Sequence, residues 1–149
     1  MGYALFFARK LSLNTRINNM NAELMAISNQ QTELTNRKAA QESQKNLATA
    51  TANNTAAATY ANTLEALGSN ASSADLELAK TRYNQALQQN SIFSAKDDVE
   101  IQQITAEMNA LDTRRETLET QLTAAQAELE KVEKAEESAI KSSAPGYVG

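Results

Sequence analysis

The stretch IQQITAEMNALDTRRETLETQLTAAQAELEKV, residues 101–132, decides the fold. Its apolar residues Ile101, Ile104, Met108, Leu111, Leu118, Leu122, Ala125, Leu129 and Val132 recur mostly at alternating three- and four-residue steps. A mean step of about 3.5 residues is the period at which α-helices pack side by side in coiled coils. Near the other end, Leu13, Ile17, Met20, Leu24, Ile27 and Leu34 repeat the pattern. Two long helices that each need a partner follow from this. The sequence predicts an all-α fold, an elongated antiparallel helical hairpin or coiled coil, whose core residues are the apolar positions just named.

Composition agrees with that reading. The chain has 149 residues, one domain's worth, and a single proline, Pro145. Ala, Asn, Thr, Gln and Ser make up much of the sequence and there is no tryptophan, so little large apolar volume exists for a globular core. The lack of cysteine removes disulfides and thiolate metal sites, and histidine is also missing. A net charge of −4 argues against nucleic acid as a partner, because displacing counterions from phosphates takes basic clusters.

The distribution of charge says more than its sum. Residues 1–50 hold six basic and three acidic side chains, whereas 97–137 hold four basic and twelve acidic ones. If the chain folds back near residue 70, Arg9, Lys10 and Arg16 meet Glu128, Glu130 and Glu133, and Arg37 and Lys38 meet Glu100 and Glu107. Exposed pairs of this kind contribute only about 0–1 kcal/mol each. Their weight falls on orientation and register.

The predicted organisation is one helical domain with a first arm at 1–67, a turn at 68–73, a return arm at 74–142 and a C-terminal tail at 143–149. Gly68 directly after Leu67 suits a left-handed C-cap, and Ser72 with Asp75 three residues on forms a weak capping box. Extending the later heptads backward puts Asp97, Ser94 and Asn90 at core positions. A kink, short loop or stutter is therefore expected at 90–94, with Ser94 placed to cap a renewed helix and the return arm either one helix or two. Pro145 and Gly146 end the last helix.

Two stretches depart from the bundle pattern. Tyr3, Leu5, Phe6 and Phe7 gather three of the seven aromatic residues at one terminus. They either pack on Tyr147 and Val148 at the open end of the same hairpin or, with them, form a subunit interface. The basic pair Arg9-Lys10 follows this apolar run, the reverse of a secretory signal, and the run is far shorter than a membrane span. The second stretch is 48–61, where alanine alternates with threonine and asparagine and no large apolar residue lies between Leu47 and Tyr60. Small side chains let helix axes approach closely, which suits contact among several chains; a solvated low-complexity helix tip is the plainer reading.

Catalytic, cofactor-binding and metal sites are not expected. An acid–base pair would have to come from carboxylates, lysine or tyrosine, and the carboxylates repeat along solvent-facing heptad positions. Asp97, Asp98 and Glu100 form the densest acidic group, but helix N-termini attract acidic residues for electrostatic reasons alone. All four glycines, Gly2, Gly68, Gly146 and Gly149, lie in the turn or near the ends, so there is no phosphate-cradling loop and no small-molecule substrate is expected.

The run Ser94-Ala-Lys-Asp-Asp98 resembles one found in the N-terminal region of flagellins, although there it follows the first helix and here it precedes the 101–132 seam. The Asn-, Thr-, Gln- and Ala-rich helices also resemble those of filament proteins exported through type III channels. The opening Met1-Gly2, Ala4, Ala8-Arg9, Leu11, Leu13 and Arg16 is similar to the start of a group of small uncharacterised bacterial proteins. The partner-requiring seams, the small-residue stretch and the apolar terminus favour a structural subunit of a self-assembling filament or surface appendage, extracellular or at the cell surface and expected to be exported without a cleaved signal peptide. The expected partner is then further copies of the chain, as a homo-oligomer or filament. A cytoplasmic coiled-coil adaptor or holding chaperone is the alternative, and a secreted translocator the second alternative.

Overall fold

The computed structural model describes residues 2–143. Two helices fill almost all of this span, α1 at Gly2–Leu67 and α2 at Ser73–Ser143, and among the described residues there is no strand. They pack against each other as a hairpin, so the protein is all-α. Threonine, a modest helix former, is accommodated by back-bonding. The hydroxyls of Thr15, Thr32, Thr63, Thr105, Thr113, Thr117, Thr120 and Thr123 each donate to the carbonyl four residues earlier, at 2.8–3.1 Å.

The turn is built as its residues dictate. Gly68 adopts φ 69°, and its N–H donates to the Leu64 carbonyl at 3.2 Å, a left-handed cap that closes the last turn of α1. A Cβ at Gly68 would meet nothing within 4 Å, so the demand for glycine comes from the backbone angle alone. Ser72 opens α2: its hydroxyl accepts the Asp75 N–H at 3.2 Å and its carbonyl accepts the Leu76 N–H at 3.1 Å. Asp75 adds a negative charge in the first turn, where the helix dipole favours it.

The helices contribute to two compact units, Met1–Thr32 with Asn109–Gly149, and Glu33–Met108. In the first, Leu13, Met20, Ile27, Leu118, Ala125 and Val132 form the buried core, and Phe6, Ile17, Leu24, Leu111, Leu122 and Leu129 pack against it half-buried. The buried members stand seven residues apart along each helix, as knobs-into-holes packing requires. Leu118 is the most completely enclosed large side chain, at 1% exposure. Arg115 and Gln31 occupy inward positions of the same repeat, and both reach Asp112: Gln31 Nε2 donates to it at 2.7 Å and Arg115 lies 3.2 Å away.

Antiparallel direction in this unit shows in its cross-helix pairs. Arg9 pairs with Glu128, Lys10 with Glu136 at 2.6 Å, and Arg114 with Glu23 at 2.9 Å. Lys10 thus finds Glu136 rather than Glu130 or Glu133. Glu130 follows inward Leu129 by one residue, is turned toward solvent, and pairs along its own helix with Lys134 at 3.1 Å.

In the second unit the apolar heptads give way. Leu34, Ile101, Ile104 and Met108 continue them at inward positions, with Leu34 and Ile104 buried. Beyond these, the inward residues of α1 include Gln41, Lys45, Thr49, Ala52, Ala56, Tyr60, Thr63 and Leu67, and those of α2 include Ala79, Tyr83, Ala86, Asn90, Ser94 and Asp97. Lys45, Ala56 and Leu67 are spaced by eleven, as are Ala79, Asn90 and Ile101. An eleven-residue repeat averages about 3.67 residues per turn, slightly above the natural value of about 3.6, so these stretches need no left-handed supercoil.

Of the kink, short loop or stutter expected at 90–94 the structure has the stutter, and the return arm is one helix rather than two. α2 is continuous from Ser73 to Ser143, through residues 90–94. An extra four-residue step absorbs the phase drift that a strict heptad would have forced into a kink. Ser94 therefore caps no second helix. Asp98, expected to stabilise a helix start, pairs instead with Lys45 of α1.

Candidate interaction surfaces

Four neighbouring residues at the start of α1 divide between two roles. Phe6 falls on the inward stripe, seven residues before Leu13, and packs on the first unit's core. Tyr3, Leu5 and Phe7 point elsewhere and are 54%, 69% and 66% exposed, and Leu11, four residues after Phe7, is exposed as well. At 100° per residue, Tyr3, Phe7 and Leu11 lie along one flank of the helix and Leu5 on the other. Leu5 borders a groove of about 300 Å³ lined also by Ala8, Ser12, Leu13 and the Arg9, Arg16 and Glu128 charges. Tyr147 and Val148, expected to share this surface, lie outside the described residues.

The second unit carries a larger groove, about 450 Å³, along the small-residue stretch. Ala52, Ala56 and Thr63 of α1 face Ala79, Ala86 and Asn90 of α2 along its length. Tyr60 and Tyr83 stack in it, ring centroids 4.9 Å apart and planes 24° from parallel, and Arg82 supplies its one charged lining residue. The stack fills the space that alanines alone would leave between the helices. Elsewhere on this unit Ile92, Phe93 and Val99 are exposed, with the Lys96 ammonium 5.4 Å from the Phe93 ring centroid.

The acidic group at 97–100 is taken up by structure: Asp98 holds Lys45, and Asp97 is a half-buried seam residue. Among the described residues no cluster of three His, Cys, Asp or Glu side chains is arranged to hold a metal ion, and no helix is long and apolar enough to cross a membrane. What the sequence did not signal is the role of Lys45, Asn53 and Arg82. Lys45 and Asn53 form cross-helix polar contacts, with Asn90 Nδ2 donating to Asn53 Oδ1 at 3.1 Å.

The arrangement defines a class, the antiparallel helical hairpin with a mixed apolar and polar seam. No protein family model, curated protein or solved structure matches the chain.

Proposed function

We propose that this protein is a structural subunit of a self-assembling helical filament or surface appendage, acting at the cell surface or outside the cell. One observation carries the reading: Tyr3, Leu5, Phe7 and Leu11 remain exposed beside an inward-packed Phe6. Large apolar side chains kept in water beside a well-filled core mark a surface meant for another chain. Burying Leu5 and Phe7 between copies would stabilise association by roughly 1.5–3 kcal/mol apiece, enough to shift assembly by orders of magnitude. The polar, threonine- and asparagine-rich outer faces and the displaced Ser94–Asp98 resemblance support the same reading.

The test is electron microscopy with sedimentation velocity on the purified chain and on Leu5→Gln/Phe7→Gln, which leaves Phe6 in place. Polymers from the parent chain and dispersed, fully helical double variant are expected. A parent chain that stops at a small closed oligomer would instead favour a cytoplasmic adaptor or holding chaperone gripping a client through the same residues. The translocator reading has less support, since none of the described helices is apolar enough to span a bilayer.

A further inference from the structure

Between two apolar anchors, the second unit has a middle section with almost no apolar knobs. At one end stand Leu34, Ile101 and Ile104, with Leu34 and Ile104 buried; at the other stand the Tyr60–Tyr83 stack and buried Ala79. Between them the inward positions of α1 are Gln41, Lys45, Thr49, Ala52 and Ala56, and those of α2 are Ala86, Asn90, Ser94 and Asp97, with Leu87 beside Ala86 the one large apolar side chain there that is half-buried. These side chains bury little apolar area, so the usual driving force for helix pairing is weak over this length. Two polar contacts join the helices there: Lys45 Nζ with Asp98 Oδ1, and Asn90 Nδ2 with Asn53 Oδ1. The Lys45 side chain is 22% exposed and that of Asp98 49%, leaving the pair within reach of solvent ions.

We infer that residues 41–56 and 86–98 form a breathing point within the hairpin, held shut by the Lys45–Asp98 pair as an ionic latch, and that salt controls how often it opens. The anchors on either side stay closed during the opening, so the event is a local separation of the two helices rather than fraying from an end. A charge pair that solvent reaches weakens as ionic strength rises, while the apolar anchors are indifferent or slightly strengthened. This inference concerns the middle of the seam and is independent of whether the chain assembles into filaments.

Amide hydrogen exchange on the full chain, read by mass spectrometry at about 0.02 M and about 0.5 M salt, tests it. Amides of the two middle segments should exchange roughly tenfold or more faster than those around Leu34, Ile104, Tyr60 and Tyr83, and the ratio should widen at high salt. In Lys45→Met/Asp98→Leu, which replaces the latch with apolar side chains, exchange in the middle should slow to the level of the anchors and lose its salt dependence. Asn53→Leu/Asn90→Leu provides a second variant: it should slow exchange while keeping the salt dependence, since the charged pair is intact. Even protection from Leu34 to Tyr60 in the parent chain would overturn the inference. So would a fast middle whose exchange ignores both salt and the Lys45–Asp98 replacement.

Discussion

Leu118→Ala removes side-chain carbon from the most enclosed point of the first unit, where the parent residue is 1% exposed. Three carbon groups leave the core, and at about 0.8 kcal/mol each the transfer term alone is about 2.4 kcal/mol. The neighbours sit on two long helices whose backbones cannot close around a single missing knob, so a cavity term adds to it and the expected total is about 3–4 kcal/mol. Leu47→Ala is the matched control: the same atoms leave a site that is 70% exposed, and alanine's higher helix propensity offsets the small loss. It should stay within about 0.5 kcal/mol of the parent. Urea unfolding followed by circular dichroism at fixed protein concentration measures both, with an unchanged denaturant slope required before midpoints are compared. Equal losses at Leu118 and Leu47 would refute the seam, because the two substitutions differ only in what surrounds them.

Two further substitutions probe the turn and the register. Gly68→Ala should destabilise by about 1 kcal/mol through its positive φ, seen as a lower midpoint with unchanged helix content; a neutral result would mean the turn relaxes to another conformation. Leu122→Asp places a charge against the first unit's core and should be severely destabilising in thermal melts, whereas Glu119→Lys, on an exposed position 3.8 Å from Arg115, should change stability by less than about 1 kcal/mol.

The first unit was legible in the sequence because its inward positions are filled by Leu, Ile, Met and Val at a constant repeat, a pattern with few other readings. The turn was legible for a similar reason: glycine after Leu67 and serine before the next helix each have one favoured use. The second unit was harder. Its inward positions carry Lys45, Thr49, Asn90, Ser94 and Asp97, residue types that a search for apolar periodicity assigns to solvent. Backward extension of the heptads put Asn90, Ser94 and Asp97 in the seam, but their polarity alone did not separate a kink or loop from the stutter that the helix in fact carries. The eleven-residue steps through Ala56 and Leu67, and through Ala79, Asn90 and Ile101, were the available signal. At the N-terminus, periodicity separates Phe6 from Tyr3, Leu5 and Phe7, since only Phe6 is in phase with Leu13, Met20 and Ile27.

The two repeat lengths constrain how such a chain can change in size. An insertion of one or two residues within α1 would rotate everything beyond it by one or two hundred degrees about the axis, moving Leu13 or Ala56 from the seam to the surface. Length is therefore quantised: seven residues gained in the first unit must be answered by seven on the facing helix, and eleven in the second by eleven. Related sequences, when compared, should differ by paired blocks of these sizes at facing positions, with the Gly68–Ser72 turn left untouched. Single-residue gaps within the helices would be confined to places where a compensating gap restores the phase within a turn or two.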